Sequence, residues 1–255
     1  MTYKWLKWTR VTVALVFFLL TTLVFLDFKE VVGEKGVNNI LFLQFVPSLL
    51  KFFAVFSLSA AGFIIILVLT ALFGRVYCSA ICPLGILQDF ISRAGKLFRK
   101  KRKRRYKYLK PRNILRYTIL AATVILGIFA SVFVVNLLDP YSLFGKVATG
   151  LFRPVGIWIN NGLASILESM NVYVLYLRDI SMFHLAAFIF PVIILVVLLY
   201  MSGRYGRLYC NTICPVGTLL GWLSKYSLFR IELDKDQCIK CGKCAFSCKS
   251  GCISI

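Results

Sequence analysis

Histidine is nearly absent from this sequence, which has a single one, His184, among 255 residues. A haem held between two histidines is therefore excluded for this chain on its own, because the second axial ligand is missing. Acidic residues are also scarce: 10 Asp and Glu stand against 31 Lys and Arg, which gives a formal net charge of +21. The nine cysteines are consequently the main residues available for binding a metal.

Long apolar segments dominate the rest of the sequence. Hydrophobic residues make up 59% of the chain and the mean hydropathy is +0.80, values typical of an integral membrane protein rather than a soluble domain. The pattern predicts an all-α membrane protein, a bundle of four transmembrane helices at 11–26, 52–73, 114–138 and 185–201. The connecting segments 27–51 and 139–183 are predicted to lie at the membrane surface.

Positive charge is concentrated between the second and third predicted spans. Residues 93–112 hold twelve Lys or Arg and no acid. Binding to anionic lipid, together with a topology signal, fits this position better than docking of an acidic partner, and nucleic-acid binding is not expected. Residues 27–51 and 139–183 are near neutral, so both termini are predicted to face the cytoplasm of a bacterial or archaeal inner membrane.

One segment of the sequence occurs twice. Residues 74–93 (GRVYCSAICPLGILQDFISR) and 206–225 (GRLYCNTICPVGTLLGWLSK) align without a gap at an offset of 132 positions. Each copy follows an apolar run and contains two cysteines, the second of which precedes a proline. The duplication predicts a membrane domain, residues 1–230, that is built from two pseudo-repeats.

The four cysteines of these repeats are predicted to form one metal site shared between the halves: Cys78, Cys82, Cys210 and Cys214. Proline favours the first position of a helix, so the second cysteine of each pair is expected at an N-cap, where the helix dipole favours a thiolate. Four thiolates suit a [4Fe–4S] or [2Fe–2S] cluster, with Arg75 and Arg207 offsetting its negative charge. Zinc and a purely structural role are the alternatives.

The C-terminal residues 231–255 contain another cysteine pattern. The spacing Cys238-x2-Cys241-x2-Cys244-x3-Cys248 is that of a bacterial ferredoxin run and predicts a [4Fe–4S] cluster. Cys248 is the expected fourth ligand, and Cys252 is a substitute for it. This part of the chain is therefore predicted to be a short ferredoxin-like segment.

Taken together, these features resemble the membrane-bound polyferredoxins, typified by the quinol-dehydrogenase subunit NapH. The resemblance covers nearly the whole chain and is most specific at the CxxxCP repeats and the ferredoxin run; members usually carry two such runs. It implies an electron-transfer subunit of a respiratory complex, which passes electrons between a membrane quinone and iron–sulfur clusters at the cytoplasmic face, alongside other redox subunits. The alternative is an assembly factor that reduces a metal ion for insertion into a respiratory enzyme.

A quinone site needs a group that exchanges protons with the ring oxygens. The sequence offers His184 at the outer end of the fourth predicted span, and Glu168 or Asp139 in the preceding loop. His184 is equally explained as a hydrogen-bonded residue at a helix end, so no catalytic residue is assigned from the sequence.

Overall fold

The computed structural model is helical, without a strand, over the residues that it describes. It describes the whole chain except residues 1–2, 27–32, 56–60, 98–111, 130–131, 171–172, 174–175, 178–184, 230–237, 240, 243, 245–247 and 249–255. Most of the basic run, His184 and Cys252 therefore lie outside the described residues.

Thirteen α-helices follow one another along the described chain. In order they are α1 Tyr3–Leu26, α2 Glu34–Phe42, α3 Phe45–Val55, α4 Gly62–Phe73, α5 Tyr77–Ala80, α6 Pro83–Leu97, α7 Asn113–Phe129, α8 Val132–Leu138, α9 Pro140–Val147, α10 Arg153–Ser169, α11 Leu185–Tyr205, α12 Leu208–Thr212 and α13 Pro215–Leu223. A π-helical stretch, Ala148–Phe152, joins α9 to α10, and a 3-10 turn, Ser224–Tyr226, follows α13.

Two described helices are long and apolar enough to cross a membrane. They contain Trp5–Leu26 in α1 and Phe188–Tyr205 in α11, and they match the first and fourth predicted spans. The count rises to three if α2 and α3, which meet at an angle of 107°, form one broken span. The shorter helices α4 and α7 are also apolar, and the arrangement of four spans as a bundle stays a prediction.

The second predicted span, residues 52–73, is wrong as a single helix. A continuous helix would separate Phe52 from Phe63 by about 16 Å along its axis, yet their rings pack edge-on with centroids 5.4 Å apart. The Phe63 N–H also donates to Ser48 Oγ at 2.8 Å, and the Phe63 ring packs edge-on against Phe45. The chain therefore folds back between α3 and α4, and α4 begins beside the start of α3.

The segment 139–183 was expected at the membrane surface, and this is wrong for its first part. Phe144, Val147 and Ala148 are completely buried, because α9 packs against α1, α6 and α11. Most of helix α10 is exposed, with only Asn160 and Ala164 buried, and its expected position at the membrane surface stays a prediction. An apolar helix suits a protein core as well as a lipid surface, so its composition alone did not distinguish the two.

A tyrosine from each sequence repeat anchors one of these inner segments. The Tyr77 hydroxyl donates to Gln44 Oε1 at 3.2 Å and accepts from the Phe45 N–H at 3.3 Å, where α2 turns into α3. The Tyr209 hydroxyl donates to the Leu138 carbonyl at 3.0 Å, where α8 turns into α9. In both halves, a bend in the chain is thus held directly against the cysteine-bearing repeat.

The ends of several helices meet at the level of the repeats. Arg10, near the start of α1, lies 3.7 Å from Asp89 of α6. The N–H groups of Leu228 and Phe229, which follow the second repeat, donate to the carbonyls of Ala71 and Leu72 at the end of α4. These bonds satisfy carbonyls that a helix end would otherwise leave unpaired, and they fasten one half of the chain to the other.

Asp139 is a buried carboxyl group at the start of α9. It is 2% exposed and caps the helix by accepting from the Ser142 N–H at 2.9 Å. Burial raises the pKa of Asp139 to about 6. In the unfolded chain this carboxyl group ionises near pH 3.8. The free energy of unfolding therefore falls as the pH rises from about 4 to about 6, and the full loss of stability applies above that range.

We predict that Asp139→Asn stabilises the protein at pH 8 by an amount on the order of 2–3 kcal/mol. Asparagine caps helices as well as aspartate does, and it removes the cost of a buried charge. Thermal unfolding at pH 4 and pH 8 measures the effect, which should be small at the lower pH. Glu168→Gln, at an exposed site on α10, serves as the control; a loss of stability in Asp139→Asn at pH 8 would contradict the prediction.

Candidate metal centre

The two repeats fold in the same way around their cysteines. Each begins with a glycine at φ +74°, Gly74 or Gly206, a backbone conformation that other residues rarely adopt. A single helical turn, α5 or α12, then carries the first cysteine. The N–H of the second cysteine donates to the carbonyl of the tyrosine that precedes the first, at 2.9 Å for Cys82 and 3.0 Å for Cys214. The two cysteines of each pair are thus held in one compact turn.

A glycine in each repeat lets the following helix pack onto this turn. A Cβ atom on Gly85 would lie 2.3 Å from the carbonyl oxygen of Cys78, and a Cβ atom on Gly217 would lie 2.2 Å from that of Cys210. Both distances are too short for any side chain. The shared glycine therefore brings the helix N-terminus, and with it the second cysteine, close to the first cysteine.

The predicted N-cap position is confirmed for Cys214. This residue precedes Pro215 at the start of α13, and its Sγ accepts from the Gly217 N–H at 3.3 Å. Cys82 stands in the equivalent place before Pro83, and it has a hydrogen bond with the Gly85 backbone. The second cysteine of each pair therefore has a backbone donor from the helix that follows it.

The expected shift toward thiolates is wrong for the protein by itself. Burial is the dominant influence on all four thiols and raises their pKa values, that of Cys210 to about 12. The helix N-terminal donors and the nearby arginines oppose this effect without overcoming it. The thiols are therefore neutral at physiological pH, and a bound metal would have to displace their protons.

The structure brings the cysteines of both repeats into one buried core. Cys78, Cys82, Cys210 and Cys214 are between 2% and 8% exposed and belong to the same apolar cluster. Electrostatic interactions cross between the halves, from Cys82 to Cys210 and from Cys214 to Cys78. The Cys210 thiol also donates to Gln88 Oε1, from the first half, at 3.4 Å. The repeats thus face each other with their cysteines toward the interface.

Two arginines reach across this interface in opposite directions. Arg207 of the second half donates through Nε to Asp89 Oδ1 at 2.8 Å, and Arg75 of the first half donates through Nη1 to Asn211 Oδ1 at 2.9 Å. Both arginines act to lower the pKa values of Cys78 and Cys210. The positive charge that the sequence predicted beside the cysteines is therefore present in the structure.

The contacts of the two arginines differ because Asp89 and Gly221 occupy equivalent positions in the repeats. Asp89 neutralises Arg207, whereas Gly221 lies directly against Arg75: a Cβ atom on Gly221 would come within 2.0 Å of Arg75 Nη2. No side chain could replace this glycine without moving the guanidinium group. Arg75 is consequently bonded to the neutral amide of Asn211, whereas Arg207 forms an ion pair with the Asp89 carboxylate.

Two buried donors near the thiols lack an acceptor. Gln88 Nε2 and Arg207 Nη2 have no hydrogen-bond partner among the residues that the structure describes. A buried unpaired N–H is costly, and an anionic group between the thiols would supply the missing acceptors. The described side chains of His, Cys, Asp and Glu form no ready-made group of three for a metal ion. Four soft sulfur ligands, two cations and two unsatisfied donors do fit an iron–sulfur cluster.

The tail cysteines lie in a more open environment. Cys238 and Cys241 are exposed, whereas Cys244 and Cys248 are half-buried. Gly242 has a φ of +74°, and the Cys248 N–H donates to the Cys244 carbonyl at 3.0 Å. The structure describes these four cysteines but only part of the chain between them. The tail cluster and its fourth ligand therefore stay predictions.

The proposed proton-exchanging residues do not form a site together. His184 lies outside the described residues, and Glu168 is exposed on α10. Asp139 was expected in the outer loop; it is buried at the start of α9, within electrostatic reach of Cys82, and its side of the membrane stays a prediction. The sequence reasoning missed Asp89, Gln88 and Asn211. Asp89 could have been noticed as the one acidic residue in either repeat, with Gly221 as its counterpart.

Comparison with known proteins supports this site. A family model described as a 4Fe–4S binding domain matches the chain twice, at residues 55–105 and 183–235. Each match contains one of the cysteine repeats. Over these two ranges the chain is similar to 4Fe–4S binding domains of the membrane polyferredoxin type. The match supports an iron–sulfur cluster as the bound group, and both matched ranges end before the tail run.

Several relatives of this polyferredoxin-like chain are known by sequence. An uncharacterized protein of Methanocaldococcus jannaschii is 27% identical over 74% of this chain and 64% of its own length. YccM of Escherichia coli, described as an electron transport protein, is 25% identical over 72% of this chain and 44% of its own. The methylamine utilization ferredoxin-type protein MauN of Paracoccus denitrificans is 26% identical over 69% of this chain and 48% of its own.

The chain spans about two thirds or less of the length of these relatives. No solved structure matches it.

We predict that Gly217→Ala abolishes cluster binding at the repeats. The added methyl group would collide with the Cys210 backbone, so α13 would have to move away together with Cys214. Iron and sulfide analysis of the purified protein measures the loss. Gly162→Ala in α10 is a matched control, because nothing lies within 4 Å of its Cβ position. The control should keep full iron content, and iron retained in Gly217→Ala would contradict the prediction.

Proposed function

We propose that this protein is a membrane electron-transfer subunit that exchanges electrons between a quinone and iron–sulfur clusters. One cluster is shared by Cys78, Cys82, Cys210 and Cys214, and a further [4Fe–4S] cluster is held by the tail run. The observation that carries this proposal is that four thiols from two sequence repeats lie in one buried core, next to cations and unsatisfied donors.

The residues around the thiols have separate roles in this proposal. The four cysteines bind through sulfur, and the two CxxxCP turns fix their spacing. Arg75 and Arg207 balance negative charge in a region of low dielectric, where such interactions are strong. Gln88 would donate from Nε2 to the cluster. A bound cluster would accept and release one electron at a time. Because apolar side chains surround the site, water is excluded and the cluster is protected from hydrolysis.

Phe229, the last described residue before the tail, is fastened beside the first repeat. The Phe229 ring stacks on Phe73 with centroids 5.4 Å apart, and its N–H donates to the Leu72 carbonyl at 2.9 Å. Phe73 directly precedes Gly74, where the first repeat begins. This attachment favours a tail cluster that lies near the shared cluster, and it supports electron transfer from one to the other.

The surroundings of the protein complete the proposal. We place the repeats and both termini on the cytoplasmic side of an inner membrane, where residues 93–112 attract anionic lipid. Other redox subunits of a respiratory complex would deliver or remove the electrons. The names of YccM and MauN, an electron transport protein and a ferredoxin-type protein, support this role.

We predict that single serine replacements of Cys78, Cys82, Cys210 and Cys214 all remove the same cluster. Each replacement takes one ligand from a shared set, so the effect should not depend on which half is changed. EPR spectra of the reduced protein and its iron content measure the loss, and the signal of the tail cluster should remain as an internal control. If the double replacement of Cys78 and Cys82 leaves a cluster bound through Cys210 and Cys214, the shared site is refuted.

We predict the opposite selectivity for the tail. Serine at Cys238, Cys241, Cys244 or Cys248 should remove the tail signal and spare the shared one, because these residues are the ligands of a separate cluster. Cys252→Ser, at the neighbouring cysteine, is the matched control and should change neither signal. Loss of the tail cluster in Cys252→Ser with retention in Cys248→Ser would show that the fourth ligand is misassigned.

A further inference from the structure

A pocket opens between α1 and α6, on the Asp89 side of the candidate metal centre. The space inside it is about 100 Å³ and is partly open to the surroundings, which is room for several water molecules or for one end of a larger molecule. The side chains around it come from α1, α6 and the turn of the first repeat. They are Arg10, Val11, Ala14, Leu15, Ser79, Ile86, Asp89, Phe90 and Arg93.

One wall of the pocket is polar and charged. Arg10 Nη2 lies 3.7 Å from Asp89 Oδ2, a distance longer than a hydrogen bond, so a polar atom of a bound molecule that approaches from the pocket can bond to both groups at once. The Asp89 carboxylate in turn accepts a hydrogen bond from Arg207 at 2.8 Å. The positive charge of Arg207 opposes the rise that burial causes in the pKa values of Cys78 and Cys210. A continuous chain of charged groups therefore links the pocket to the thiols.

The opposite wall is apolar and belongs to a membrane span. Val11, Ala14 and Leu15 lie on α1, whose apolar stretch Trp5–Leu26 is long enough to cross a bilayer. The Phe90 ring contacts Phe18 of α1 with centroids 5.5 Å apart. The pocket thus lies near one end of a span and is within reach of molecules dissolved in the membrane.

The second half of the protein has no carboxylate at the equivalent place. Gly221 stands where the first half has Asp89, and the guanidinium of Arg75 fills the space that a side chain would need. The duplicated framework alone does not explain Asp89, because the second repeat keeps its fold without an acid there. The carboxylate is thus specific to the half that contributes Ser79, Ile86 and Phe90 to the pocket.

We propose that this pocket binds the head group of a quinone or quinol, an inference that rests on the proposed electron-transfer function. The ring oxygens of such a molecule alternate between hydrogen-bond acceptors and donors. Asp89 accepts from a ring hydroxyl, Arg10 or Arg93 donates to a ring oxygen, and the α1 wall contacts the ring. A lipid phosphate is disfavoured because the Asp89 carboxylate would repel it.

The pocket can be tested by photolabelling the full protein, with its clusters, in phosphatidylcholine nanodiscs. An azidoquinone probe should label residues 10–15 and 86–90, as located by peptide mass spectrometry. Ala14→Phe fills the pocket and should reduce labelling at least tenfold. Val13→Phe adds the same ring at a position that does not line the pocket, and it should label like the wild type. Arg10→Gln keeps the space but removes a donor, and it should reduce labelling several-fold.

Three outcomes would overturn the pocket assignment. The first is labelling located elsewhere, and the second is normal labelling in both Ala14→Phe and Arg10→Gln. In the third, phosphatidylglycerol displaces the probe as effectively as unlabelled decylubiquinone does, which would make the pocket a lipid head-group site.

Reduction of the clusters by decylubiquinol, with dithionite as the reference reductant, tests the proposed function separately. If dithionite reduces the wild-type clusters and decylubiquinol does not, electron exchange with quinol fails while labelling still supports the pocket. If decylubiquinol reduces the wild type while labelling lies elsewhere, the proposed function stands and the pocket is refuted.

Discussion

The burial of four thiols between two halves of one chain is the constraint on which the rest of this structure depends. Neutral thiols pack well in an apolar core, but thiolates there need compensating charge and hydrogen-bond donors. The protein supplies both from across the interface, through Arg75, Arg207 and Gln88. Each of these three residues contacts a residue of the other half: Arg75 contacts Asn211, Arg207 contacts Asp89 and Gln88 contacts Cys210. The two halves must therefore associate before the site exists. Binding of a cluster and assembly of the halves are therefore coupled.

Duplication explains the symmetry of the site, and a single pair of residues breaks it. The glycines at φ +74°, the cysteine turns and the close helix contacts recur at equivalent positions in both repeats. Asp89 and Gly221 are the exception, and their difference leaves one arginine neutralised and the other charged. A site with two equal halves would offer an incoming molecule two equal approaches. Here the carboxylate occurs on one side alone, at Asp89, so the surroundings of the centre are asymmetric.

The inner helices α3 and α9 support the repeats from within the protein. Tyr77 and Tyr209 each place a hydroxyl on a bend beside one of these helices. Polar groups buried at such depth need partners, and the bends at Gln44 and Leu138 provide them. Asp139, at the start of α9, lowers the stability of the fold at neutral pH because its burial disfavours the charged carboxylate. The bends beside α3 and α9 thus hold the cysteine turns in place, with some loss of stability at Asp139.

The paired cysteines, their recurrence at a fixed offset, the N-cap at Cys214 and two apolar spans could all be predicted from the sequence. These features are local, and spacing along the chain is enough to predict them. The folding back of α3 on α4, the burial of α9 and the pairing of Asp89 with Arg207 became evident only in the three-dimensional structure. Apolar composition is the same for a helix facing lipid and for one inside the protein, so hydropathy could not separate them. The pairing of Asp89 with Arg207 joins residues 118 positions apart, and no local pattern specifies such a contact.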